Sequence, residues 1–139
     1  MFKKILIAND GSEGAFKALD NAFRLAHSHK AQAHMICVEE IQWIPGSREE
    51  VIGDKEIADR KFAEVVAKSE AEAKHHRVKL ISHILMGHPV PAIVDFIERE
   101  GFDLLVAGFM GHSALYSRVI GSTTDRLVEL APCTVLIVK

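Results

Sequence analysis

The chain carries no surplus of positive charge: 17 Lys and Arg stand against 19 Asp and Glu, a formal net charge of −2. A nucleic-acid groove or an anionic-membrane patch draws on clustered Lys and Arg, so neither partner is expected. No apolar run approaches the ~18 residues of a membrane span. The stretch from Ile5 to Ala8 stops at Asn9 and Asp10, too short for a signal-peptide core and without a small-residue cleavage site. A cytosolic protein is expected. Cysteine is scarce too: Cys37 and Cys133 make neither a disulfide framework nor a metal spacing. Both fall at expected strands, which reads as two buried structural thiols. The GxxxxGK[ST] phosphate loop does not occur, and no Ser-His-Asp or Cys-His constellation can be placed.

What the sequence does contain is ordinary globular material, 139 residues of which 48% are hydrophobic and 26% charged. This length suits one domain over 1–139. Ile5-Leu6-Ile7-Ala8 reads as a strand apolar on both faces, as in a covered parallel sheet. Asp10 with Glu13 three residues on resembles a capping box. Ala15, Ala18, Leu19, Ala22, Phe23 and Ala26 then recur at helical intervals. A second strand is expected at about Ala33 to Val38, a loop from Glu39 to Gly53 and a helix from about Asp54 to His76. Strand three runs from Val78 to Leu85, and Pro89 opens a helix with Ile93, Phe96 and Ile97 on its apolar face. Asp103 to Ala107 is strand four, Gly108 to Gly121 a loop, Ser122 to Leu130 a helix and Thr134 to Val138 strand five. Strict alternation of strand and helix specifies an α/β fold with a mainly parallel sheet and helices on both faces. Ligands in such sheets bind at the carboxyl ends of the strands. Asp10, Val38, Gly87 and Gly108 all lie just past strand ends, on one rim.

The most informative segment is Gly108-Phe-Met-Gly111-His112, followed by Gly121-Ser122-Thr123-Thr124-Asp125. Glycines let backbone N–H groups approach phosphate oxygens closely. Ser122 and Asp125 form a second capping-box pattern, which sets a helix N-terminus just after Gly121. Such a terminus offers unpaired N–H donors and partial positive charge, a seat for phosphate. The Ser122 and Thr123 hydroxyls are further donors. The alternative is that these glycines only turn the chain and Ser122 only caps its helix.

Gly108-x2-Gly111-x9-Gly121-Ser122 resembles the G-x2-G-x9-G-[S/T] pattern of the ATP-binding branch of the universal stress proteins. The resemblance covers the whole chain, through KILIANDGSE, Gly87-His88-Pro89, DLLVAG and APCTVLIVK. Thr134 departs from it where proline is frequent, and Asn9 where an apolar residue is common. The resemblance implies a Rossmann-like five-stranded sheet of order 3-2-1-4-5 and ATP or AMP as ligand. It implies that Asp10 lies beside ribose and phosphates, directly or through Mg²⁺, unless it only caps the first helix. Val38 would meet the adenine edge through its backbone, and Gly87 would line the ribose side. Gly108, Gly111, Gly121, Ser122 and Thr123 would cradle phosphate, with His112 inside that loop facing phosphate or water. Arg118 leaves the same choice open.

Other features point less far. His27 with His29 and His75 with His76 lack the i, i+4 spacing of a helical zinc site and read as helix-end partners. Trp43 and Ile44, in the loop at 39–53, cover the adenine or serve a partner. The expected function is a nucleotide-loaded sensor or regulatory module of a stress response. The alternatives are a slow ATP hydrolase using Asp10 or His112, and a nucleotide-free dimer as in the family's other branch. Strand five, apolar on both faces and at the sheet edge in the implied order, is expected to pair two copies into a homodimer.

Overall fold

The computed structural model describes residues 1–40, 48–110 and 120–139, and of residues 48–58 the backbone alone. Five strands, β1 (Lys4–Ala8), β2 (Gln32–Glu39), β3 (Leu80–Met86), β4 (Leu104–Gly108) and β5 (Thr134–Val138), alternate with four helices. These are α1 (Glu13–His29), α2 (Arg48–His75), α3 (Pro89–Glu100) and α4 (Ser122–Leu130). The strands form one sheet of order β3-β2-β1-β4-β5, every neighbouring pair parallel. The α/β reading and the strand order implied by the resemblance both hold.

Successive side chains of a strand point to opposite faces, so a strand covered on both sides must be apolar throughout. Ile5 and Ile7 pack with Met35 and Val106 against Ala18, Leu19, Ala22 and Phe23 of α1 and Phe62 and Val65 of α2. Leu6, between them, turns the other way, to Ile36, Leu105, Ile93, Phe96 and Ile97 of α3 and Leu127 of α4. Truncating a buried side chain such as Phe23 typically costs about 3–5 kcal/mol.

The ends of the elements correct the sequence reading in four places. The N-cap of α1 is Ser12, whose Oγ accepts from the Ala15 N–H at 3.2 Å. Asp10 is not the cap, because Gly11, at φ +83°, turns the chain between strand and helix and delays the helix by two residues. The helix α2 begins at Arg48, so the second half of the expected 39–53 loop is helical; residues 41–47, with Trp43 and Ile44, lie outside the described residues. Strand β3 begins at Leu80 rather than Val78, because the Val78 N–H closes the end of α2 on the Ala73 carbonyl (2.8 Å). Arg77 supplies the left-handed turn at φ 58°, the usual way a helix ends. Lastly, α4 is capped by Gly121, with no side-chain hydrogen bond, so Ser122 stands inside the first turn rather than at its cap.

Candidate functional site

From β1 the chain builds outward through β2 to β3, then returns past β1 to lay down β4 and β5. Strand order reverses between β1 and β4, and connections leaving their carboxyl ends diverge, which opens a crevice there. A cavity of about 440 Å³ fills it, within the range of small-molecule sites. Ala8, Ile36, Val38, Pro89, Ile93 and Leu127 make part of its lining apolar. Asn9, Asp10, Ser12, Glu39, Glu40 and Lys61 make another part polar. Gly108, Met110, Gly121, Thr123 and Thr124 line the cavity beyond β4.

The turn from β1 into α1 is built by two successive side-chain-to-backbone bonds. The Asn9 Oδ1 accepts from the Gly11 N–H at 2.9 Å, and the Asp10 Oδ1 from the Ser12 N–H at 3.0 Å. Short Asn and Asp side chains favour this, each bonding the backbone two residues on. Asp10 is thereby held at the cavity with its backbone fixed on both sides.

Across the switch point, β4 runs into the glycine segment. Gly108 has no room for a side chain: a Cβ there would lie 2.7 Å from the backbone carbonyl carbon and oxygen of Gly14 in α1. Its glycine therefore serves the approach of α1 to β4. The buried Thr124 hydroxyl donates to the Gly108 carbonyl at 2.8 Å, tying α4 to the end of β4. Phe109 donates its N–H to the Val138 carbonyl (2.8 Å) and accepts from the Gly121 N–H (2.9 Å), so the two ends of the 109–121 segment are clamped together. Gly121 itself, at φ −62° and ψ 145°, has a backbone any residue adopts. Conformation does not require glycine there; close approach of a ligand is a reason that remains. The first helical bond of α4 runs from the Asp125 N–H to the Gly121 carbonyl, 2.9 Å. The N–H groups of Ser122, Thr123 and Thr124 precede it, so they have no partner within the helix, and they carry its partial positive charge.

Of the residues singled out from the sequence, Asp10, Val38, Gly108, Gly121 and Thr123 line the cavity together. Ser122 is exposed at the start of α4 and is not among the lining residues. Gly87, at φ +136°, donates its N–H to the Glu39 carbonyl (2.9 Å) and also stands outside the lining. Gly111, His112 and Arg118 lie outside the described residues. Sequence reasoning did not single out Gly14, Glu39, Lys61 or Thr124. A glycine two residues inside a helix start was the one available signal for Gly14.

Charge in the described lining is lopsided, with Asp10, Glu39 and Glu40 against Lys61. Cys37 registers it: burial first, then the Asp10 and Glu39 carboxylates, push its thiol up to about 12. It is a packed, unreactive thiol. Cys133 is half-buried, its thiol also raised by burial. Among the described residues no group of three or more His, Cys, Asp and Glu is placed to hold a metal ion, and no helix is long and apolar enough to cross a membrane.

The sequence model of the Universal stress protein family matches residues 1–139. The chain belongs to the universal stress protein family. A universal stress protein of Thermus aquaticus is 32% identical over 139 residues, covering 100% of both chains. One from Methanocaldococcus jannaschii is 30% identical over 141 residues, covering 100% of this chain and 83% of its own. Among solved structures, universal stress protein UspA from Lactobacillus plantarum matches with a TM-score of 0.88 at 24% identity, over 99% of this chain and 98% of its own. A universal stress protein in complex with cAMP gives 0.76 at 22% identity, over 99% and 97%. The Arabidopsis thaliana family member with AMP bound gives 0.67 at 18% identity, over 99% and 91%. At such identities the likeness shows the Rossmann-like α/β fold.

Proposed function

We propose that this universal stress protein binds an adenine nucleotide, ATP or AMP, in the cavity at the β1–β4 switch point, and serves as a nucleotide-loaded sensor or regulatory module. The observation that carries the reading is the α4 N-terminus. Its first N–H groups, without a partner inside the helix, follow Gly121, which lines a cavity of about 440 Å³ whose lining is partly apolar. Phosphate belongs at the former, with the Ser122 and Thr123 hydroxyls and the Gly111-His112 stretch adding contacts. The purine belongs against Val38 and the apolar part of the lining, with Gly87 beyond it on the ribose side. Family members solved with AMP and cAMP support the choice of adenine. The residues 1–139 act together as one domain, and the cytosol, where free adenine nucleotide is abundant, is the proposed compartment.

Asp10 faces this ligand with a carboxylate, which repels phosphate unless a cation or a ribose hydroxyl intervenes. The donors suit Mg²⁺, which takes one or two carboxylates and completes its shell with phosphate oxygens and water. Asp10 would hold it, and the ion would neutralise phosphate charge beside the acidic part of the lining. A homodimer through β5 belongs to the same proposal.

Isothermal titration with ATP, AMP and cAMP tests the site. The parent should bind, with nucleotide copurifying. Gly121→Val should weaken affinity by about tenfold or more, because a branched side chain obstructs close approach to the α4 N-terminus. A folded Gly121→Val protein that binds as well as the parent would show that phosphate sits elsewhere.

A further inference from the structure

Asn9 is buried, 3% exposed, at a position where its amide has consequences on both sides. Its Oδ1 must face the Gly11 N–H, since only an oxygen can accept that bond; this fixes the orientation of the amide. The Nδ2 then points to α2, donating to the Ser69 Oγ at 3.3 Å, with the Met35 sulfur at 3.4 Å. Ser69 is 0% exposed and donates in turn to the Val65 carbonyl, one helical turn back, at 2.7 Å. The Asn9 backbone N–H is bonded to the Ile36 carbonyl at 3.0 Å. One side chain thus joins α2 to the turn whose next residue is Asp10.

We propose that Asn9 is a positioning residue for the ligand site, through which α2 sets the conformation of the Asp10–Ser12 turn. The idea rests on the nucleotide reading above for its effect on affinity, but not for its structural half. The Asp10–Ser12 bond closes the second half of the turn; the first half pivots on Gly11, at φ +83°, whose N–H is held by Asn9 alone among its bonds in the described residues. An apolar residue at position 9 fills the same space and leaves that N–H unanswered. The bond is part-buried, and a donor that loses its acceptor turns to water, so the turn would loosen toward solvent, carrying Asp10 with it. The helix α2 also lines the cavity with Lys61 and Phe62, so a shift of α2 and a shift of Asp10 are coupled.

The test compares Asn9→Leu and Ser69→Ala with the parent, each also in an Asp10→Asn background. Two readings are taken: amide hydrogen exchange at Gly11 and Ser12 without nucleotide, and titration with a fluorescent N-methylanthraniloyl ATP. Asn9→Leu should speed exchange at both amides and weaken binding about tenfold, the scale of one hydrogen bond. In the Asp10→Asn background the further loss from Asn9→Leu should nearly vanish, because two residues acting through one contact do not add. Full additivity overturns the positioning role, as does unchanged exchange at Gly11 and Ser12. If Asn9→Leu does not fold, Ser69→Ala decides: faster exchange at Gly11 supports the link to α2, and parental exchange refutes it. A parent that binds no nucleotide sinks the proposed function, and the exchange measurement still decides the positioning.

Discussion

His34 on β2 and His83 on β3 show how much one pair of side chains can say about solution behaviour. Their Nδ1 and Nε2 atoms lie 2.9 Å apart, with ring planes within 1° of each other. A shared hydrogen bond of this kind needs one nitrogen with a proton and one without. Phe102 and Phe96 crowd the pair, and burial is the largest cause lowering both below the ordinary 6.5. For His34 its partner and Lys4 lower it further and Glu100 opposes; for His83 Glu100 opposes more than Lys4 adds. Both folded values lie below the unfolded one, so under pH 6.5 the unfolded chain takes up more protons. Stability present above that pH is lost as pH falls through it toward the folded values. Urea midpoints should therefore drop between pH 7.5 and 5.5, and His83→Gln should flatten that dependence. A variant with the parent's full pH dependence would place the titration in other groups.

At the scale of elements, the cavity brings a helix N-terminus together with an acidic part of its lining. The α4 terminus carries about half a positive charge, while Asp10, Glu39 and Glu40 line the same space. The helix alone does not balance that acidic lining for a polyphosphate; the divalent cation proposed at Asp10 would. Asp10→Asn should accordingly weaken ATP about tenfold or more in Mg²⁺ and leave binding in EDTA unchanged or tighter, since a carboxylate without its cation only repels. Calorimetry with and without EDTA reads this directly. Equal loss in both conditions would assign Asp10 to the ribose or to the turn, through its bond to the Ser12 N–H.

For the whole molecule, the question is the two open edges of the sheet. On one side β5 pairs, among the described residues, with β4 alone, and its residues from Val135 to Val138 are half-buried. On the other side β3 leaves Ile81, Ile84 and Met86 exposed. Neither Thr134 to Val138 nor Leu80 to Met86 contains the charge or proline that blunts edges. Pairing of β5 with β5 across a two-fold axis satisfies the ladder, and a dimer is the expected species in sedimentation equilibrium. A 15.4 kDa particle at micromolar concentration would refute it. Ile137→Pro should split the dimer; if a folded Ile137→Pro protein still dimerises, the exposed apolar side chains of β3 are the surface to change next.

The elements were legible because each carries a local signature; their order in the sheet was implied only by the family resemblance. Four residues apolar on both faces, Ile5 to Ala8, already demand two covering layers, and the stripe from Ala15 to Ala26 supplies one of them. The glycine segment and the start of α4 were legible for the same reason, since a helix terminus is written in its own few residues. What the sequence could not decide depends on atoms far apart in the chain. Gly108 reads as a phosphate glycine, yet it is the approach of Gly14, far away along the chain, that excludes its side chain. Asn9 reads as a departure from pattern, and it is α2, sixty residues on, that gives its Nδ2 an oxygen partner in Ser69. Asp10 reads as a helix cap; a left-handed Gly11 passes that task to Ser12 and leaves the carboxylate at the cavity. Local patterns fix where chain segments begin and what faces they bury. Which side chain answers a given hydrogen bond is settled only when packing brings distant segments within 3 Å or so.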